Sequence, residues 1–218
     1  MADSEKQQLI CLRGGSSEVI EKRSRFLGKT APVRTEKEAL DFLESVRREN
    51  RDARHNCSAY IVGEERIEKC SDDGEPSRTA GMPMLDLLRN RSLGGVCVVV
   101  TRYFGGILLG TGGLVRAYGK AAALAVENSV FAPEKRGLLT EWAADYASYG
   151  KLRRIAEAQG VPILDVSYGA EVVLKLLLPE DSAERFLRAA GEAGAGKLSP
   201  RKSGKVRYLE AEGSVRIL

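Results

Sequence analysis

Three short stretches hold the residues with the most chemistry to offer. The first contains His55, the only histidine, two positions before Cys57. Residues two apart on a strand face the same side, so the pair could act as a thiol and its imidazole base. No third residue is placed to orient them, and a lone histidine at a strand start is more often structural. The second stretch is the acidic loop Asp72-Asp73-Gly74-Glu75-Pro76-Ser77-Arg78. Asp72, Asp73 and Glu75 have the ligand type for a hard cation such as Mg²⁺. They also suit a capped turn in which Glu75 pairs with Arg78. The spacing of a calcium loop is absent, and no metal is assigned.

The third stretch runs from Arg102 to Gly119. Gly105, Gly106, Gly110, Gly112 and Gly113 follow the β-branched run Val96–Thr101 and precede a helical stripe of Leu114, Val115, Tyr118, Ala121, Ala122 and Ala125. Glycines at a strand–helix junction let the backbone approach a ligand, and open N–H groups at a helix start favour an anion. Two phosphate fingerprints fail here. Gly105 and Gly110 have the P-loop spacing, but Thr111 stands where the lysine belongs. Gly110 and Gly112 begin a G-x-G-x-x-G, but Val115 takes the third place. A backbone anion nest remains, or a tight turn with close helix–sheet packing. In the first case Arg102 and Arg116 meet phosphates while Tyr103 or Phe104 stacks on unpaired bases. In the second the aromatics are anchors and the arginines a solvated face.

The elements that must position these residues follow from composition and pattern. The chain has 218 residues, 43% hydrophobic and 29% charged, as ordinary globular domains do. A net charge of +4 is too small to diagnose a nucleic-acid binder. Its distribution says more. Leu87 to Val126 contains no acid but has Arg89, Arg91, Arg102, Arg116 and Lys120; Ala193 to Leu209 repeats the pattern with Lys197, Arg201, Lys202, Lys205 and Arg207. Clustered charge, not net charge, attracts phosphate. Apolar runs are too short to span a membrane. Scattered cysteines without a C-x-x-C pair predict reduced thiols in a cytoplasmic protein, and with one histidine and no ligand pair at zinc-finger spacing a zinc site is not expected. No cofactor is implied.

Residues 1–16 read as a flexible leader without a signal-peptide core. Residues 17–132 read as a first domain, 133–137 as a polar Pro/Gly linker, and 138–218 as a second domain. The first begins with an extended stretch from Ser17 to Val33. A helix follows, capped by Thr35 and Glu38, with Ala39, Phe42, Leu43 and Val46 on one face. Strands Cys57–Val62 and Ile67–Cys70, a short helix ending near Asn90, the buried strand and the glycine-rich helix complete it. The second domain reads as strand, helix stopped by Gly160, two strands, a helix opened by Pro179, and a final extended stretch from Val206. This is the βαββαβ order of a ferredoxin-like domain, in the α+β class.

Arg25-Phe26-Leu27, His55 to Tyr60, Ser71 to Ser77 with Thr79 to Pro83, Val99 to Gly106 and Leu109 to Tyr118 together resemble the IMPACT family. The likeness covers roughly residues 18–128, and the remainder resembles the small C-terminal domain of bacterial, YigZ-like members. It implies a first domain similar to the second domain of ribosomal protein S5, with the helices on one side of the sheet. It implies a second domain similar to the last domain of elongation factor G. Function is then expected to be translation-associated: binding of RNA or the ribosome through the glycine-rich basic loop, with a protein of the translation machinery as a further partner. Eukaryotic relatives restrain a starvation-response kinase through an additional N-terminal domain, and that role is not expected here. Two alternatives stand beside this reading. One is an enzyme on a phosphorylated or nucleotide substrate, with Mg²⁺ in the acidic loop. The other is a protein-interaction adaptor, marked by an exposed apolar patch beside Tyr103 and Phe104.

Overall fold

The computed structural model describes residues 8–63, 65–195 and 198–218. It divides into two compact units, Met1–Pro133 and Glu134–Leu218. The first contains β1 (Leu9–Arg13), β2 (Ser16–Glu21), β3 (Ser24–Pro32), α1 (Glu36–Glu49), β4 (His55–Val62), β5 (Ile67–Ser71), α2 (Gly81–Asn90), β6 (Leu93–Gly94), β7 (Val96–Tyr103) and α3 (Gly110–Glu127), and the start of β8 (Val130–Ala144). Its main sheet is antiparallel, in the order β2-β3-β7-β4-β5.

β7 lies at the centre and is buried from Val96 to Arg102. An unbroken apolar run is what a strand covered on both faces requires. Val96, Val98 and Val100 join the core under α2 and α3, including Leu85, Leu88, Leu114 and Tyr118. Cys97 and Val99 join a second core with Ala39, Leu43 and Val46 of α1. The helices therefore occupy both faces, which corrects the one-sided arrangement implied by the S5 likeness. The capping of α1 is as read: Thr35 Oγ1 accepts from Glu38 N at 3.2 Å, and Glu38 reaches back to Arg34 N at 2.8 Å.

Other expectations change. Leu9–Arg13, inside the expected leader, pairs with both β6 and β8, while residues 1–7 lie outside the described ones. The Ser17–Val33 stretch is a hairpin, turning at Lys22 and Arg23, with φ of 45° and 67°. Two left-handed residues match the twist of a tight hairpin, but Lys-Arg carries none of the usual Asn-Gly signal. Residues 133–137, read as a linker, lie within β8. Gly137 is small for packing: a side chain there would meet the Leu178 carbonyl at 2.6 Å.

The second unit continues β8 with α4 (Tyr146–Gln159), β9 (Ile163–Tyr168), β10 (Val172–Pro179), α5 (Ala183–Ala193), β11 (Lys202–Ala211) and β12 (Ser214–Ile217). Strand order is β12-β11-β8-β10-β9, antiparallel throughout. The βαββαβ order is the one read from the sequence, with β12 added at the edge. Pro179 closes β10 instead of opening α5. Trp142, Leu152, Leu174, Leu176 and Phe186 form the core. Among the described residues, no helix is long and apolar enough to cross a membrane.

Candidate functional site

The sheet brings the three stretches together. His55 lies opposite Arg102, Asn56 opposite Thr101, and Phe26 flanks Arg102 from the other side. The acidic loop folds over this end, and its carboxylates meet protein donors. Asp72 accepts from the backbone N–H groups of Arg78, Ala80 and Gly81 at 2.7, 2.9 and 2.8 Å. It thereby supplies the cap that Ala80 cannot give α2. Burial opposes its charge, but the three backbone bonds outweigh that and hold its carboxyl below the usual carboxylate range. Asp73 accepts from Asn56 N at 2.7 Å and from Arg47 at 2.9 Å. Its own carbonyl meets His55 Nδ1 at 2.8 Å.

Glu75 takes the most buried position. Its Oε1 accepts from Arg102 Nη1 and from the Tyr118 hydroxyl, each at 2.7 Å. The Glu75 and Arg102 side chains are only 4% and 8% exposed. This geometry bears on three of the sequence readings. Glu75 pairs with Arg102, not Arg78. Asp72, Asp73 and Glu75 are directed to three separate tasks, and the described residues contain no metal-binding cluster. Arg102 is not available to an external phosphate, because the sheet buries it and Glu75 neutralises it.

The thiol–imidazole pair dissolves as well. Cys57 Sγ donates to the Asp72 carbonyl at 3.0 Å, while His55 faces Asp73. Burial pushes the Cys57 thiol up to about 12, so it stays protonated at neutral pH and is a poor nucleophile.

The glycine-rich loop behaves differently. Tyr103 is an anchor, its hydroxyl donating to Asn50 at 3.0 Å. Phe104 lies over the Arg102 guanidinium at 5.4 Å and is 54% exposed, so it is the aromatic free to stack. Gly105 must be small, since the Arg23 backbone lies 2.0 Å from where a side chain would begin. Gly106 and Gly110 have φ of 84° and 70°, the left-handed region that favours glycine. α3 then opens with no side-chain cap and no acid in its first turn. Thr111 and Gly112 are exposed, whereas Gly113 packs on Leu109.

Charge pairing sorts the basic stretch. Arg89 pairs with Glu68 and Asp86, and Arg91 with Glu127. Arg116 and Lys120 are exposed and make no ion pair among the described residues. In the second unit Arg201, Lys202 and Arg207 pair with Glu171, Glu141 and Glu134. Lys197 lies outside the described residues. Sequence reasoning missed Ile107 and Leu108. Both are exposed, Leu108 to 82%, and they sit with Phe104 and Val115 on the same loop and helix start. The available signal was an apolar triplet, Ile107-Leu108-Leu109, between glycines.

Residues 22–126 match the Impact N-terminal domain, and residues 143–197 match a domain of unknown function, DUF1949. The IMPACT family member YvyE of Bacillus subtilis is 39% identical over 197 residues, 90% of each chain. This chain belongs to the IMPACT family. A second member, YigZ of Escherichia coli, is 38% identical over 183 residues, 81% of this chain and 88% of that one. A crystal structure described only as that of a hypothetical protein superposes with a TM-score of 0.57 at 32% identity, over 95% of this chain and 98% of the other. In this IMPACT-family chain, the motifs that carried the resemblance largely bind one another. His55, Asn56, Cys57, Asp72, Asp73, Glu75, Arg102 and Tyr118 form one polar lock. The glycine-rich tip lies outside it.

Proposed function

We propose that this IMPACT-family protein is a non-catalytic, translation-associated factor that binds RNA or the ribosome through residues 104–113 and the first turns of α3. The observation that carries the reading is the start of α3. Among the described residues its N–H groups have no side-chain cap, its first turn carries no acid, and Arg116 and Lys120 just beyond make no ion pair. Such an end attracts phosphate. Phe104 adds a stacking face, and Gly106 and Gly110 give the backbone its bends. Translation enters through the family resemblance. The βαββαβ order of the second unit supports its likeness to the last domain of elongation factor G, whereas α1 on the opposite face departs from the S5 likeness. The Mg²⁺-dependent alternative loses its ligands to internal donors.

Salt-titrated binding of labelled oligouridine and of purified ribosomes tests this. Replacing Arg116 and Lys120 together by alanine is expected to weaken both. It should also lower the slope of log K against log salt by about 1.4, for two lost single-strand phosphate contacts. Unchanged affinity and slope would overturn the site. Arg102→Ala is the wrong probe, since it strands the buried Glu75.

One observation favours a protein partner. Phe104, Ile107, Leu108 and Val115, exposed apolar side chains close together in the sequence, support an adaptor reading. Under that reading Leu108→Ser abolishes ribosome binding while oligouridine binding is absent or unaffected.

A further inference from the structure

We infer that Glu75 is the positioning residue that clamps both roots of the docking loop. The consequence for binding rests on the docking reading above; the consequence for the loop does not. The loop leaves the sheet after Tyr103, one residue beyond Arg102, and α3 carries the chain back to Tyr118. One carboxylate oxygen, Glu75 Oε1, receives a hydrogen bond from each side. Glu75 belongs to neither element. It arrives on the acidic loop, which Asp72 and Asp73 tie to α2 and β4.

Core packing alone does not call for this arrangement. A buried ion pair is desolvated at a cost that its attraction often fails to recover, and apolar side chains of similar size hold elements together as well. Here the cost is raised further, because Arg102 Nε is buried and has no hydrogen-bond partner among the described residues. What the polar pair adds is direction. Arg102 is held between the rings of Phe26 and Phe104, 5.5 and 5.4 Å from its guanidinium carbon. Phe26 is fully buried and meets Tyr118 edge-on at 5.1 Å. The guanidinium thus rests on a fixed ring and supports an exposed one. Burial pushes the Tyr118 phenol up, so its proton remains available to Glu75. Glu75 therefore fixes where Phe104 stands relative to the start of α3.

The full chain provides the test. Glu75→Ala alone leaves a buried, unpaired arginine and risks unfolding. The informative variants are therefore Tyr118→Phe, which removes the helix side of the clamp, and the charge-free pair Glu75→Ala with Arg102→Met. NMR order parameters are measured for residues 104–113 and for the second unit, and oligouridine affinity is measured on the same samples. The expected result is a loss of order confined to 104–113 in both variants, with the second unit unchanged. Affinity should be about tenfold weaker, the scale of re-ordering one or two side chains on binding. Unchanged order parameters in both variants would overturn the clamp, whatever happens to affinity. A mobile loop with undiminished affinity supports the clamp and overturns this loop as the docking site. Wild-type protein that fails to bind oligouridine removes the RNA reading, and the order parameters still decide the clamp.

Discussion

In the acidic loop, Asp72, Asp73 and Glu75 are all met by protein donors. In the glycine-rich loop, the first turn of α3 is uncapped and Leu108 stands almost fully in water. The two loops look alike in sequence, as clusters of special residues between regular elements. Folded, they differ in where their polar groups find partners. Buried polar groups must find partners, and the acidic loop finds them within its own chain. A loop whose polar groups are satisfied has little left to offer a ligand. The glycine-rich loop and the start of α3 retain uncapped N–H groups, cations without an ion pair among the described residues, and exposed apolar side chains, which is the combination a partner can use.

That contrast can be broken at its strongest point first. Glu75→Ala should destabilise the first unit by about 3–5 kcal/mol, because Arg102 is left buried without a counter-charge. Denaturant unfolding measures it, and a loss below about 1 kcal/mol would mean that the pair relaxes into water. Asp72→Ala should lose about 1–2 kcal/mol, the scale of a helix cap.

The pH dependence sharpens the same point. Asp72 is held below its ordinary value when folded, so its contribution is complete above an unfolded value of about 3.9 and is lost as pH falls through the lower folded value. Asp72→Asn should flatten the stability curve in that acid window and leave its shape near neutral pH alone. An unaltered acid limb would contradict the assignment.

Leu108→Ser should change stability by no more than about 0.5 kcal/mol, as for an exposed residue, while weakening ribosome binding. A large stability loss would show that the tip packs in solution and is not a docking surface. The smallest effect concerns Cys57. Its thiol, pushed up to about 12 by burial, should resist iodoacetamide in the native protein and react on unfolding, with no change in binding before that point. Rapid native alkylation would show that the acidic loop opens readily.

Much of the fold was legible because it depends on neighbours in the chain. The Thr35–Glu38 cap, the stripe of α1, the buried run of β7 and the stop at Gly160 are local patterns of period and capping. The βαββαβ order follows from adding such segments in sequence. The misses have distant causes. β1 exists because β6 and β8 offer it edges. The Lys22-Arg23 turn takes left-handed backbone that its residue types do not advertise.

For the site, residue types and spacing alone singled out three stretches and showed that two phosphate fingerprints fail. They also marked the junction at Gly105 to Gly113 as a place where glycines let the backbone bend closely. Which charges stay available was decided only in three dimensions. Arg102 and Arg116 are equivalent as letters, yet Arg102 is one strand away from His55 and beneath Glu75, while Arg116 lies on the outer face of α3. The availability of a charge depends on burial and on the nearest counter-charge, and both are set by residues far away along the chain.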